Sequence, residues 1–141
     1  MAARKKKTTS KKKATTAKQR LANRDKELEK NIENTILDWI NLRPRGFAFK
    51  VNTVGIYDAS IGGYRKTGKY TLKGTSDILG LWHDKFLAIE VKTARGRVSA
   101  EQKAFIDKVK SQGGIAFVAR SLDEAIKHLE YFARHGSMIV S

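Results

Sequence analysis

The chain has 141 residues, 40% of them hydrophobic and 30% charged, which is enough for one domain with one compact core. The absence of cysteine excludes disulfides and thiolate metal sites. No apolar run is long enough for a membrane span or a secretory signal, so an intracellular location is expected. Lysine and arginine number 29 against 14 acids, a net charge of +15, which indicates a polyanionic partner such as nucleic acid.

The first 24 residues form a basic segment with almost nothing to bury. Nine bases and no acid lie within its first twenty residues. Residues 1–24 are therefore predicted to be a disordered tail able to contact phosphates, and residues 25–141 to be the folded domain. The alternative for this tail is a solvated segment that only maintains solubility.

A helix and a strand are predicted at the start of the folded domain. Apolar residues recur at steps of three and four over residues 25–42, which predicts an amphipathic helix that ends before Pro44. Residues 47–54 are aromatic and β-branched and predict a strand. The polar, glycine-rich residues 55–74 are either a binding loop or a poorly ordered hairpin.

The remaining elements are predicted from short apolar runs and from two capping boxes, Ser99-Ala-Glu-Gln102 and Ser121-Leu-Asp-Glu124. In chain order they are strands over 76–82 and 85–92, a helix over 99–111, a strand over 115–119 and a helix over 121–134. This order predicts an α/β fold in which helices flank a mixed sheet.

A charged pair lies on the second strand of the predicted hairpin. Glu90 and Lys92 are two residues apart and therefore project from one face of that strand. A turn of two or four residues at His83-Asp84 gives a register in which paired positions sum to 167, so that Asp77 faces Glu90. A three-residue turn would shift this pairing.

Two facing carboxylates repel each other unless a cation lies between them. Oxygen ligands suit Mg²⁺ or Mn²⁺, which can polarise a phosphodiester and activate water. Lys92 can orient that water or neutralise developing charge. A cross-strand ion pair of Glu90 and Lys92 without catalytic function is the structural alternative.

Three segments resemble the PD-(D/E)XK nucleases, and in particular stand-alone VRR-NUC domains. They are Gly74-Thr-Ser-Asp77-Ile-Leu, Ala88-Ile-Glu90-Val-Lys92-Thr and Gly96-Arg-Val-Ser99-Ala-Glu-Gln102. The resemblance covers about residues 27–130, and Ser76 stands where the superfamily has its proline. It implies a restriction-endonuclease-like α-β-β-β-α-β(-α) core.

The resemblance also implies roles for individual residues. Asp77, Glu90 and the Val91 backbone carbonyl would be metal ligands, Lys92 would be catalytic and Gln102 would support the site. The family also has a site acid on the first helix, for which Glu29 and Glu33 are candidates, with Glu33 preferred.

A set of basic residues flanks these motifs in sequence, and several of its members are expected to contact phosphates. The set comprises Arg65, Lys66, Lys69, Lys73, Arg95 and Arg97.

The expected function is that of a Mg²⁺- or Mn²⁺-dependent endodeoxyribonuclease in the cytoplasm of a bacterial or phage-infected cell. The resemblance implies branched DNA such as Holliday junctions as substrate, and a homodimer. The alternative is a non-catalytic, basic DNA-binding protein with a nuclease-like fold.

Overall fold

The structure is a computed structural model, and it describes residues 16–52, 57–65 and 68–140. The elements, in chain order, are α1 (Ala17–Asn41), β1 (Gly46–Lys50), β2 (Tyr57–Asp58), β3 (Gly63–Tyr64), β4 (Ile78–Trp82), β5 (Lys85–Val91), α2 (Ala100–Ser111), β6 (Ile115–Ala119) and α3 (Leu122–His135). Three helices flank a four-stranded mixed sheet, which confirms the predicted fold class. No helix among the described residues is long and apolar enough to cross a membrane.

The main sheet has the strand order β1-β4-β5-β6, and only the β5–β6 pair is parallel. Successive side chains of a strand point to opposite faces of the sheet. Ile36 and Ile40 of α1 pack on the face that carries Ile89, together with residues of α3. Ile106 of α2 covers Ala88 on the other face. Helices α1 and α3 therefore pack on one face of the sheet and α2 alone packs on the other, so the core on the α2 side is the smaller one.

Helix α1 begins eight residues earlier than predicted, at Ala17 rather than at residue 25. Thr16 and Gln19 form a capping box in which each side chain binds the other's backbone N–H. Residues 17–22 include alanine, leucine, lysine, arginine and glutamine, which favour helix even where nothing is buried. The prediction of a disordered tail is therefore wrong for residues 17–24, and residues 1–15 lie outside the described residues.

The β4–β5 hairpin closes with a two-residue turn. His83 and Asp84 have φ values of 47° and 66°, as a type I′ turn requires. The register runs from Trp82 opposite Lys85 to Ile78 opposite Ile89, so paired positions sum to 167. The predicted register is confirmed.

Residues 57–64 of the glycine-rich stretch form a small hairpin of their own. Strands β2 and β3 pair there, and the rings of Tyr57 and Tyr64 meet edge to face with centroids 5.6 Å apart. The hairpin alternative is therefore correct for this part, while residues 53–56 and 66–67 lie outside the described residues.

Strand β1 is at the edge of the main sheet, and a side chain takes the place of a neighbouring strand. Asn41, the last residue of α1, donates from Nδ2 to the Ala48 carbonyl at 2.9 Å and accepts from the Ala48 N–H at 3.0 Å. Ala48 is only 5% exposed, so both backbone groups would otherwise lack a partner. This contact also fixes the end of α1 against the sheet.

Asn41→Ala is expected to lower the free energy of unfolding by about 1–3 kcal/mol, because two nearly buried backbone groups lose their partner. Urea denaturation measures the change. Asn34→Ala, at an exposed position on the same helix, is the matched control and is expected to be neutral or slightly stabilising. Equal effects of the two substitutions would contradict the role of Asn41.

Candidate active site

The end of the β4–β5 hairpin brings two carboxylates together. Asp77 immediately precedes β4, and continuing the register by one pair puts it opposite Glu90. The Val91 N–H donates to Asp77 Oδ2 at 2.9 Å, so the Asp77 side chain continues the ladder beyond the last strand residue. By strand alternation both acids lie on the α2 side of the sheet.

Glu90 is an acid buried without full compensation. It is 1% exposed, and its Oε1 accepts from Gln102 Nε2 at 2.6 Å and lies 3.4 Å from Lys92 Nζ. Its Oε2 is buried with no hydrogen-bond partner in the structure. Burial, and secondarily the charge of Asp77, raises the pKa of Glu90 to about 8.

Gln102 has both of the roles considered for it. Its Oε1 accepts from the Ser99 N–H at 2.9 Å in the capping box of α2, which turns its amide NH₂ toward Glu90. Gly74 packs against this first turn of α2: a Cβ on Gly74 would lie 2.3 Å from the Glu101 carbonyl carbon, and its φ is +74°. The glycine of the Gly-x-x-Asp motif therefore lets α2 approach the carboxylates.

Lys92 is fixed by a turn that follows it. Gly96 N–H donates to the Thr93 carbonyl at 3.1 Å, and a Cβ on Gly96 would lie 3.2–3.3 Å from the Lys92 side chain. Arg120 Nη1 donates to the carbonyls of Thr93 and Gly96 at 2.6 and 2.7 Å and so closes the turn.

Sequence reasoning did not identify Arg120, although a signal was present. Strands β5 and β6 are parallel and pair up to Val91 and Ala119. Residues that follow parallel neighbours lie at the same edge of a sheet, so Arg120 must lie beside Lys92. The position of Arg120 therefore follows from the parallel pairing of β5 and β6, which no local pattern in the sequence specifies.

The two candidate acids of the first helix have different surroundings. Glu33 is buried with a carboxylate oxygen 2.5 Å from Lys50 Nζ, and both residues lie on the α1 side of the sheet. Glu29 Oε1 instead accepts from the N–H of Thr93, next to Lys92, at 3.4 Å. The structure therefore brings Glu29, not Glu33, to the loop of the site, and Glu33 as a site acid stays a prediction.

The acidic part of the site consists of two carboxylates. Across residues 16–52, 57–65 and 68–140, no three acidic or histidine side chains lie close enough to hold one metal ion. Asp77 and Glu90 nevertheless fit a hard divalent cation, because Glu90 has an oxygen without a donor and the two charges repel. A backbone carbonyl and water are the ligands that would complete such a site.

The predicted phosphate-binding bases have different positions. Arg95 and Arg97 are exposed on and just after the turn that follows Lys92, so the structure brings these two close to the site. Arg65 forms an ion pair with Asp58 at 2.9 Å in the small hairpin, and the Lys69 ammonium is 5.5 Å from the Tyr70 ring centroid. Lys73 is exposed just before Gly74, and Lys66 lies outside the described residues.

Two comparisons with known proteins find a similarity to the VRR-NUC domain. The family model of the VRR-NUC domain matches residues 64–123, a segment that contains Asp77, Glu90, Lys92 and Gln102. A solved structure of a VRR-NUC domain protein is similar to 75% of this chain and 88% of its own, with a TM-score of 0.53 and 17% identity, and supports the fold. No curated protein matches the chain. Residues 64–123 are therefore similar to the VRR-NUC domain, a family that belongs to the PD-(D/E)XK nuclease superfamily.

Proposed function

We propose that the chain is a metal-dependent endodeoxyribonuclease that hydrolyses DNA phosphodiesters. The observation that carries the proposal is the buried Glu90 carboxylate, with one oxygen held by Gln102 and Lys92 and the other unpartnered beside Asp77. A protein that only bound DNA would have no reason to bury this charge, since burial of an uncompensated carboxylate destabilises the fold.

Asp77, Glu90 and the Val91 carbonyl are the proposed ligands of Mg²⁺ or Mn²⁺. Such a cation supplies charge neutralisation at a phosphoryl oxygen and water of lowered pKa. Gln102 holds Glu90 Oε1 in place, and the Val91 N–H holds Asp77 Oδ2. The two carboxylates are therefore oriented before any ligand arrives, which reduces the cost of ordering them.

Lys92 is proposed to orient the attacking water or to neutralise the charge that develops on the scissile phosphate. Its side chain is 16% exposed, so the ammonium is partly shielded from water while its Nζ stays 3.4 Å from Glu90. In such surroundings one positive charge stabilises the charge that develops on the phosphoryl group more strongly than it would in bulk water. Arg95 and Arg97, exposed beside it, are proposed to hold the neighbouring phosphates.

The preferred substrate is proposed to be branched DNA such as a Holliday junction. The family match supports a nuclease, and the resemblance to structure-selective members supports the choice of substrate. Arg95 and Arg97 suit either linear or branched DNA, because phosphate contacts carry no sequence information.

Asp77→Ala and Lys92→Ala are each expected to lower Mg²⁺- or Mn²⁺-dependent cleavage by at least about 100-fold, because each removes a charge that acts on the transition state. Initial rates on a four-way junction and a linear duplex measure the loss. Asp107→Asn and Lys85→Ala change an exposed acid and an exposed base away from the site, and both are expected to cleave normally.

Unchanged cleavage by both Asp77→Ala and Lys92→Ala would contradict the assigned site. If the wild-type protein bound DNA but cleaved none of it with Mn²⁺, the non-catalytic DNA-binding alternative would be favoured instead.

The stability of the metal-free protein is expected to fall as pH rises from about 4.5 to about 8. The folded state keeps a proton on Glu90 up to about pH 8, whereas the unfolded chain releases it near 4.5. The unfolded state therefore binds fewer protons in this window, so folding becomes less favourable with rising pH. Thermal unfolding across the window measures the slope.

Glu90→Gln is expected to remove this part of the slope, to unfold at a higher temperature than the wild type at pH 8, and to gain no stability from added Mn²⁺. The wild type gains stability from Mn²⁺ by mass action if the carboxylates bind it. The same pH slope in both proteins would show that Glu90 titrates at its ordinary pKa.

A homodimer is part of the proposal, and one sheet face suits it. Phe47, Phe49, Leu81 and Phe86 are each about half exposed on the part of the α2 side that α2 leaves uncovered, and we name them the apolar patch. Phe47 lies opposite Leu81, which in turn lies opposite Phe86. The patch exposes roughly 300–450 Å² of apolar surface, about half of what one partner buries in a standard interface. A two-fold dimer pairs such a surface with itself.

Phe47→Ser combined with Phe86→Ser is expected to convert a dimer into a folded monomer, because it removes two of the three aromatic side chains of the patch on both subunits. Sedimentation equilibrium measures the change in mass. Tyr70→Ser, at an aromatic residue that is 87% exposed outside the patch, is the control and should remain dimeric. A wild-type protein that is monomeric at all concentrations would contradict the dimer.

A further inference from the structure

Helix α1 extends well beyond the body of the domain. Every residue from 16 to 28 is exposed, and buried residues of the helix begin only at Glu33. Residues 17–28, which we name the arm, span roughly 18 Å at the rise of an α-helix. The arm contributes nothing to the core, so its formation from strong helix formers and a capping box calls for another explanation.

The arm leaves the domain beside the candidate active site. Glu29, the residue that follows it, accepts a hydrogen bond from the N–H of Thr93, which is the neighbour of Lys92. The base of the arm is therefore fixed to the turn that holds Lys92. A DNA strand with its scissile phosphate at Lys92 would lie close to the point where the arm begins.

The charge of the arm is positive. Four bases (Lys18, Arg20, Arg24 and Lys26) stand against Asp25 and Glu27. Residues 1–15, directly before it, add seven bases and no acid. The positive charge therefore becomes denser along the sequence toward residue 1, which favours contact with phosphates.

We propose that the arm binds the duplex that flanks the cleavage site and thereby extends the DNA contact on one side of the protein. This inference rests on the proposed nuclease function. At 3.4 Å per base pair, the length of the arm corresponds to about five base pairs. Its bases then contact phosphates at a fixed distance from the cleaved bond, because a helix is stiff.

A second copy of the chain is a less suitable partner for the arm than DNA. Leu21 and Leu28 lie seven residues apart on one stripe and are 60% and 45% exposed. Two leucines are too few for a helix pair, which needs several heptads of apolar residues. Two copies would also bring together two arms and two preceding segments of the same positive charge, whereas DNA compensates that charge.

Lys18→Gln, Arg24→Gln and Lys26→Gln combined are expected to reduce the slope of log K against log salt by about 2–3, the value for the loss of two to three phosphate contacts. Binding to a duplex of about 30 base pairs is measured in chelator and in an Asp77→Asn background, so that no cleavage interferes. The control combines Lys108→Gln, Lys110→Gln and Lys127→Gln, which remove three exposed bases from α2 and α3, and its slope is expected to fall by less than one.

The position of the arm on the DNA is tested by cross-linking from single introduced cysteines, because the sequence has no native cysteine. A photo-cross-linker on Lys18→Cys is expected to attach to nucleotides about five base pairs from the cleaved bond, whereas one on Lys127→Cys is not expected to attach. Ala22→Pro interrupts the helix and keeps every charge, so it should spread the Lys18→Cys cross-links over a wider range.

The two proposals fail in different ways. The proposal for the arm is overturned if the arm substitutions leave the salt slope of DNA binding unchanged, or if Lys18→Cys gives no cross-link. Either result leaves the nuclease proposal standing. If the wild type binds no DNA at low salt, the nuclease proposal itself is overturned.

Discussion

The two-residue turn at His83-Asp84 determines how β4 and β5 pair, and the site depends on that pairing. Both turn residues adopt positive φ, which matches the right-handed twist of the strands and permits only one register. A shift by one residue would move Asp77 or Glu90 to the opposite face of the sheet. The turn lies at the far end of the hairpin from the carboxylates, so the geometry of the site is fixed by a feature that takes no part in its chemistry.

Burial of Glu90 is the cost that this register imposes. The strand ends beneath the first turn of α2, where Gly74 allows the helix to approach and Gln102 supplies one hydrogen bond. One donor and one ammonium group do not satisfy a buried carboxylate beside another acid, so its pKa rises. The ionised form of Glu90 beside Asp77 is therefore an unbalanced negative charge, which a proton neutralises up to about pH 8 and which a bound cation would balance in its place. Burial of Glu90 thus lowers the stability of the fold while it provides the carboxylate on which the proposed catalysis depends.

Local patterns in the sequence carried enough information for much of this arrangement. The strands β4 and β5, the capping box at Ser99 and the register that pairs Asp77 with Glu90 are consequences of short-range spacing, and the structure has all of them. At the second predicted capping box only half is present: Ser121 caps the Glu124 N–H, but the Glu124 carboxylate accepts from the Arg120 N–H instead of the Ser121 N–H. The start of α1 was missed because an apolar stripe was used to detect the helix, whereas capping and intrinsic propensity form its first two turns.

Contacts between segments that are distant in the sequence were harder to predict from it. Arg120 holds the turn after Lys92, and the two segments are adjacent only because β5 and β6 are parallel. A basic residue after a strand has no distinctive local pattern that would predict this contact.

The candidate acids of the first helix illustrate the same limit. Glu29 and Glu33 are one turn apart and share a face, so spacing could not decide which of them reaches Thr93. Which of the two acids reaches Thr93 depends on the angle at which α1 crosses the sheet. The hydrogen bonds of Asn41 to the edge strand β1 help to fix that angle. The same contacts direct the basic end of α1 away from the domain, so the crossing of this one helix determines both the acid beside the site and the direction of the arm.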